Sequence, residues 1–262
     1  MQTPLQTQQI SSPVLQDAKL PLIVYGTAGA GKSYWIRKYA KDNQMLLHVC
    51  RCRRDRTLRE GRERLHTLAK RYETSIIWLE GVDDLTQEAQ AFLRRILETH
   101  TSTILFVLEC RDTRKLQEAI RSRCQVKHIL PPTREAILKY AQTHLQSNQV
   151  NEYVDYIMNN MNISWRQATN IAKLIQTSPV IWKEQVLSGY KQSMFVPLDQ
   201  ARISEYIDIG IDPCILLKRY MDKLQGDSGE NNSEELIVFL EKYSRVIENG
   251  GSLWPFLGSV LG

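Results

Sequence analysis

The 262-residue sequence holds no run of the roughly 20 apolar residues that a membrane helix needs, which excludes a helical membrane span. Its five cysteines, at 50, 52, 110, 124 and 214, are odd in number and contain no C-x-x-C pair. Cys50 and Cys52, two apart on one strand face, read as packing rather than metal binding. The polar start lacks the pattern of a secretory leader, so the expectation is a reducing, intracellular setting with no membrane partner. No internal repeat is present. Residues 1–19 are rich in Gln, Ser and Thr with little periodicity, and are expected to form a loosely ordered lead-in without chemistry. The chain also lacks a strong overall charge, but residues 51–71 hold nine Lys/Arg against three acids, a local +6 in a chain whose net charge is +5. A basic block on a nearly neutral remainder points to a polyanion at one surface.

What is present begins with the stretch from Val24 to Ser33, VYGTAGAGKS. An apolar strand end, Leu22–Tyr25, runs into Gly26, Thr27, Ala28, Gly29, Ala30, Gly31, Lys32 and Ser33, the G-x-x-x-x-G-K-[ST] spacing of a P-loop. The glycines let successive backbone N–H groups curl toward phosphate oxygens, and the following helix presents its positive end to them. Lys32 is placed to reach the β- and γ-phosphates and Ser33 to hold Mg²⁺, so the implied ligands are ATP and Mg²⁺. Trp35, Ile36, Tyr39 and Ala40 recur at helical spacing over Lys32–Lys41, giving the helix a face to bury on a sheet.

Met45–Cys50 reads as a second strand. The basic block becomes helical near Leu58, with Leu58, Leu65, Leu68, Ala69 and Tyr72 on one side and Arg59, Arg62, His66 and Lys70 forming a stripe on another. Such a stripe is either a solvated face or a track for a phosphate backbone, and the scarcity of interleaved acids supports the second. Ser75–Leu79 is a buried-type strand leading into Glu80-Gly81-Val82-Asp83-Asp84, where a P-loop ATPase carries its Walker B acids. Thr86 is the expected N-cap of a helix burying Ala89, Phe92, Leu93, Ile96 and Leu97, with Arg94 and Arg95 pointing away. Thr103–Leu108 and Gln125–Leu130 complete a parallel sheet covered by helices on both faces. Pro131-Pro132 ends the β signal. Helices are expected over Thr133–Gln146, Asn151–Met161 and Ser164–Gln176, then over Val180–Lys191, Leu198–Asp208, Pro213–Leu224 and Glu234–Glu248, with a mobile linker at Gln225–Ser233 and an apolar tail at Leu253–Leu261.

The order of P-loop, altered Walker B, Leu85-Thr86-x-x-Ala89-Gln90-x-x-Leu93-Arg94-Arg95 and Ser122-Arg123-Cys124 resembles the small subunits of replication factor C, the sliding-clamp loader of the AAA+ superfamily. The resemblance covers residues 20–130 well, the first helices beyond them moderately, and the last 80 in pattern only, where LEKYSRVIENGG and LWPFLGSVL are similar to the family's final helices. It implies an α/β P-loop AAA+ domain (20–131), a three-helix lid (132–178) and an all-α collar (179–262). It also implies a five-membered ring with other clamp-loader subunits that binds ATP between subunits, grips primer–template DNA and opens a sliding clamp, in the nucleus or at a viral replication site. Arg123 corresponds to an arginine finger acting in trans on a neighbour's γ-phosphate, and Arg166 to the lid arginine that contacts nucleotide in cis. Arg56, Arg59, Arg62, Arg94 and Arg95 correspond to positions that track the DNA backbone.

Departures from the family pattern bear on chemistry. Its Asp-Glu-x-Asp is Glu80-Gly81-Val82-Asp83 here: Glu80 keeps a carboxylate for Mg²⁺, whereas Gly81 cannot position a water. The Asn expected after the next strand is Arg111, the Gly-Asp before the lid arginine is Ile163-Ser164, and residues 1–19 lack an evident adenine-packing segment. The favoured reading is an interaction and regulatory subunit that binds ATP, contributes Arg123 to its neighbour and hydrolyses little. The alternatives are a fully active ATPase subunit, an AAA+ helicase loader and a repair-specific clamp loader.

Overall fold

The computed structural model describes residues 20–70, 74–99, 104–161, 163–226, 230–248 and 251–261; the expected lead-in at 1–19 lies outside them. Strands β1 (Leu22–Tyr25), β2 (Leu46–Arg51), β3 (Ser75–Glu80), β4 (Ile104–Cys110) and β5 (Gln125–His128) form one parallel sheet in the order β2-β3-β4-β1-β5. Parallel strands need helical crossovers, which bury both sheet faces. The near-continuous apolar runs LIVY, SIIWL and ILFVL follow from that requirement. Alternation then sorts them. Leu22, Val24, Ile76, Trp78, Leu105 and Val107 pack on one face against Trp35, Ile36 and Ala40 of α1 (Lys32–Asp42). Ile23, Ile77, Leu79, Phe106, Leu108 and Cys110 pack on the other against α2 (Gly61–Ala69) and α3 (Gln87–Thr99). Each fully buried aliphatic side chain is worth roughly 1.5–3 kcal/mol, so this layer fixes the start of α1, and with it the P-loop, on the end of the sheet.

Two local differences from the sequence expectation matter for the site. Helix α2 begins at Gly61, not near Leu58, because Asp55 captures the chain first: its carboxylate accepts from the backbone N–H groups of Arg59, Glu60 and Gly61 and from the Thr57 hydroxyl. Those bonds hold the Asp55 carboxyl below its ordinary value against the opposing effect of burial. Leu58 takes a positive φ of 54° and still buries its side chain completely. Arg59 therefore stands in the turn before the helix, and Tyr72 lies outside the described residues. Strand β4 extends two residues past the apolar run to include Glu109 and Cys110. Thr86 does cap α3, accepting from the Ala89 N–H at 3.3 Å, and Arg94 and Arg95 are exposed as expected. A short helix, α4 (Glu118–Arg121), precedes β5.

Contacts divide the chain into two units: the described residues to Pro132 together with Ser164–Arg166, and Thr133–Ile163 together with the chain from Gln167 onward. The second is all-α. Its helices are α5 (Arg134–His144), α6 (Ser147–Met158), α7 (Trp165–Thr177), whose first residues group with the other unit, α8 (Pro179–Ile181), α9 (Ser188–Ser193), α10 (Ile203–Ile209), α11 (Pro213–Gly226), α12 (Glu230–Glu248) and α13 (Leu253–Leu261), with a π-helical turn at Trp182–Leu187. A cluster of Tyr206, Leu216, Leu217, Phe239, Phe256 and Leu257 ties the last four helices together. The expected nine-residue linker is mostly helix: α11 reaches Gly226 and α12 starts at Glu230, while 227–229 lie outside the described residues. Helix α10 starts late because Asp199 caps a short 3₁₀ turn, accepting from the Ala201 N–H at 2.9 Å, and it stops at Gly210. Among the described residues no helix is long and apolar enough to cross a membrane.

Candidate functional site

The P-loop leaves β1 through Gly26. At a φ of 151°, a Cβ built there would stand 2.2 Å from the Ile129 carbonyl oxygen, so only glycine lets the loop pass over the chain after β5. Thr27 and Ala28 are exposed at the tip; the Ala30 N–H returns to the Thr27 carbonyl at 3.3 Å; Gly31 is the N-cap of α1. Lys32 is buried, and its ammonium donates to the Gly26 and Thr27 carbonyls at 2.7 and 2.9 Å. Burial pulls Lys32 below its ordinary value, with Arg111 and Arg53 pushing the same way and Glu109 opposing them. The backbone N–H of Arg166 donates to the Gly29 carbonyl at 3.4 Å, which places the start of α7 beside the middle of the P-loop.

The carboxylates at the same edge of the sheet divide their work. Glu80, at the end of β3, is partly exposed and lies 3.8 Å from the Arg51 guanidinium. Asp83 accepts from the backbone N–H groups of Arg111 at 2.9 Å and Asp112 at 3.4 Å, so it holds the turn after β4. Asp84 pairs with Arg53 at 2.9 Å, and the Asp84 carbonyl accepts from Arg56 Nε at 2.8 Å. Arg51, Arg53 and Arg56 of the basic block are thus turned onto the acidic segment. Arg62 is different: its guanidinium lies over the Phe92 ring at 5.1 Å to the centroid.

Gly81 carries more information than the absence of a carboxylate. Its φ is 78°, in the region that disfavours a side chain, and a Cβ there would come within 2.7 Å of Arg53 Nε. The backbone and the neighbouring arginine are both fitted to glycine. A glutamate could not be accommodated at this position without strain and displacement of Arg53.

Glu109 was not singled out by the sequence. It is buried to 8% exposure on β4, directly opposite Val24 of β1 and Glu80 of β3. The Ser33 hydroxyl lies 3.2 Å from both of its carboxylate oxygens, and Trp78 Nε1 donates to it at 3.0 Å. Burial raises the Glu109 carboxyl, with Glu80 adding to the shift and Lys32, Ser33 and Trp78 opposing it. A hydroxyl beside oxygen-only carboxylates suits the hard-cation preference of Mg²⁺, so the donor set at the P-loop fits the ion implied by the motif.

Arg123 follows α4. Its Nε lies 2.8 Å from Glu98 and its Nη1 donates to the Ala119 carbonyl at 2.7 Å, leaving the side chain 40% exposed. Arg94 is 3.8 Å from the same Glu98. Cys110 and Cys124 behave as packing groups: burial pushes their thiols up to about 12. No cluster of three metal-ligating side chains occurs among the described residues.

Residues 22–132 match the model of the ATPase family associated with various cellular activities (AAA). A replication factor C small subunit from Picrophilus torridus is 26% identical over 196 residues, 68% of this chain and 62% of that protein. A probable replication factor C subunit 2 from Dictyostelium discoideum is 32% identical over 43% of this chain and 37% of its own length. A replication factor C small subunit from Methanoculleus marisnigri reaches 41% identity over 64 residues, 24% of this chain and 20% of that protein. The chain spans less than two thirds of the length of each of these relatives.

Proposed function

We propose that this chain, a divergent relative of the replication factor C small subunits built on an AAA domain at residues 22–132, is a clamp-loader subunit that binds ATP with Mg²⁺, serves its neighbour's site and hydrolyses little ATP itself. The observation that carries this reading is the pairing of a complete P-loop with a glycine-fitted position 81. Gly26–Ser33 retains every group that contacts phosphate, whereas the φ of 78° and the side chain of Arg53 leave no strain-free place for a water-activating glutamate. Loss of a general base costs about 10²–10⁴ in rate. Phosphate binding needs only the loop and Lys32. A magnesium ion held in such a site would neutralise charge on the phosphate oxygens; Ser33 would be its protein-side oxygen, and Arg166 would contact the nucleotide in cis.

Arg123 takes the trans role in this reading. A permanently charged, planar guanidinium at a partly exposed helix end can neutralise charge on a neighbour's transferring phosphoryl group, and Glu98 orients it in advance. Arg59, Arg62, Arg94 and Arg95 form the proposed surface for primer–template DNA, with Arg56 at its border with the acidic segment. The partners are other clamp-loader subunits in a ring, a sliding clamp and DNA. The test is the DNA-stimulated ATPase of the ring reconstituted with its partner subunits. Arg123→Ala is expected to lower turnover by about 10³ at the site it serves, while Lys32→Ala in the same chain lowers the ring's turnover much less. Turnover untouched by Arg123→Ala would refute the trans role.

A further inference from the structure

We propose that Glu109, and not Glu80, is the carboxylate that positions the P-loop serine for the magnesium–nucleotide complex; the inference rests on the nucleotide-binding reading above. Sheet order separates the two carboxylates. Strand β4 lies directly beside β1, from which the P-loop emerges, whereas β3 is one strand farther away, about 4.8 Å more. Glu109 and Glu80 are register partners and share the face covered by α1. Of two carboxylates on one face, the one on the adjacent strand has the shorter reach to Ser33.

The contacts agree with the topology. Ser33 Oγ is 3.2 Å from each Glu109 oxygen, while Glu80 is turned to Arg51 at 3.8 Å. A serine hydroxyl has one proton and two lone pairs. Donating the proton to Glu109 leaves the lone pairs for a cation, which is the orientation a metal-bound serine requires. Trp78, wholly buried, donates its indole N–H at 3.0 Å to one of the same carboxylate oxygens and so helps to fix it. In P-loop NTPases a Walker B Asp ordinarily holds Mg²⁺ together with the P-loop Ser/Thr. Here a residue of a different strand occupies the supporting position. Glu109 acts through Ser33 and is a positioning residue.

The test compares equilibrium binding of a non-hydrolysable fluorescent ATP analogue to the full chain in magnesium chloride and in EDTA. Glu109→Gln keeps the shape and can still accept from Trp78, so it is expected to fold. It should lose about 10–100-fold of the magnesium-dependent gain in affinity, with affinity in EDTA unchanged. A merely structural role would weaken binding under both conditions. Ser33→Ala should lose the same gain, and the double variant should be no worse than either single one, since the two side chains act as one unit. Glu80→Gln should keep most of the gain. With Mn²⁺ in place of Mg²⁺, the electron paramagnetic resonance signal of the bound metal–nucleotide complex should weaken in Glu109→Gln and persist in Glu80→Gln. The inference is overturned if Glu109→Gln retains the magnesium dependence, or if Glu80→Gln removes it. A wild-type chain that binds no nucleotide in either condition would overturn the functional reading as well, and is distinguished by that result.

Discussion

The loops after β1 and β3, both at the C-terminal end of the sheet, put their residues to different uses. The loop after β1 keeps every residue that phosphate geometry demands, and its backbone could not pass without Gly26. The loop after β3 keeps acids at 80, 83 and 84 but uses them on its own chain: Glu80 faces Arg51, Asp83 holds the turn after β4, and Asp84 pairs with Arg53. On the proposed reading, binding and turnover are separable properties of this fold. Phosphate capture depends on the strand that carries the P-loop, and water activation depends on a loop two strands away, so the second can be lost while the first persists.

Substitutions at the two glycines should separate the two loops by the largest effects. Gly26→Ala puts a methyl group against the Ile129 backbone carbonyl, which no rotamer change can move aside. It is expected to cost on the order of 3–5 kcal/mol in thermal or denaturant unfolding and to abolish nucleotide binding; a variant of wild-type stability would contradict the loop geometry. Gly81→Glu is expected to cost about 1–3 kcal/mol without raising turnover. Adding Arg53→Ala removes the collision but not the left-handed backbone, so only part of the stability should return. A gain of about 10² in turnover by Gly81→Glu alone would mean that the loop is merely missing a side chain.

The smallest effect separates the arginines turned inward from those turned outward. Substituting Arg59 and Arg62 by Ala should reduce the slope of log affinity for primed DNA against log salt by about 1 for each phosphate that is no longer neutralised. Arg56→Ala, whose Nε is bonded to the Asp84 carbonyl, should register mainly as a lower melting temperature. Equal slopes for the wild type and the Arg59/Arg62 variant would return that stripe to an ordinary solvated face.

The P-loop, the parallel sheet and the apolar face of α3 were legible in the sequence because each is fixed by a local rule: motif spacing, continuous apolar runs and helical period. The start of α2 was not, since Asp55 draws four donors onto its carboxylate and Leu58 adopts a positive φ, and neither departure has a periodic signature. Glu109 was missed for a related reason. A charged residue after ILFVL reads as the end of a strand, while the groups that make its burial tolerable, Trp78 and Ser33, are 31 and 76 residues away in sequence. The available signal was the alternation itself: continued past Leu108, it puts Glu109 on the same face as Val107 and Trp78. The basic block was legible as charge but not as a division of labour, because pairing with Glu80 and Asp84 arises only when β2 and β3 lie side by side.

On the proposed reading, this chain captures ATP without efficiently consuming it. The most direct measurement incubates the isolated full chain with radiolabelled ATP and Mg²⁺ and follows both retention and release of phosphate. ATP is expected to be retained largely intact, Lys32→Ala to remove the retention, and turnover to lie about 10²–10⁴ below that of a site with an intact general base. Robust hydrolysis by the isolated chain, abolished by Lys32→Ala, would contradict that reading.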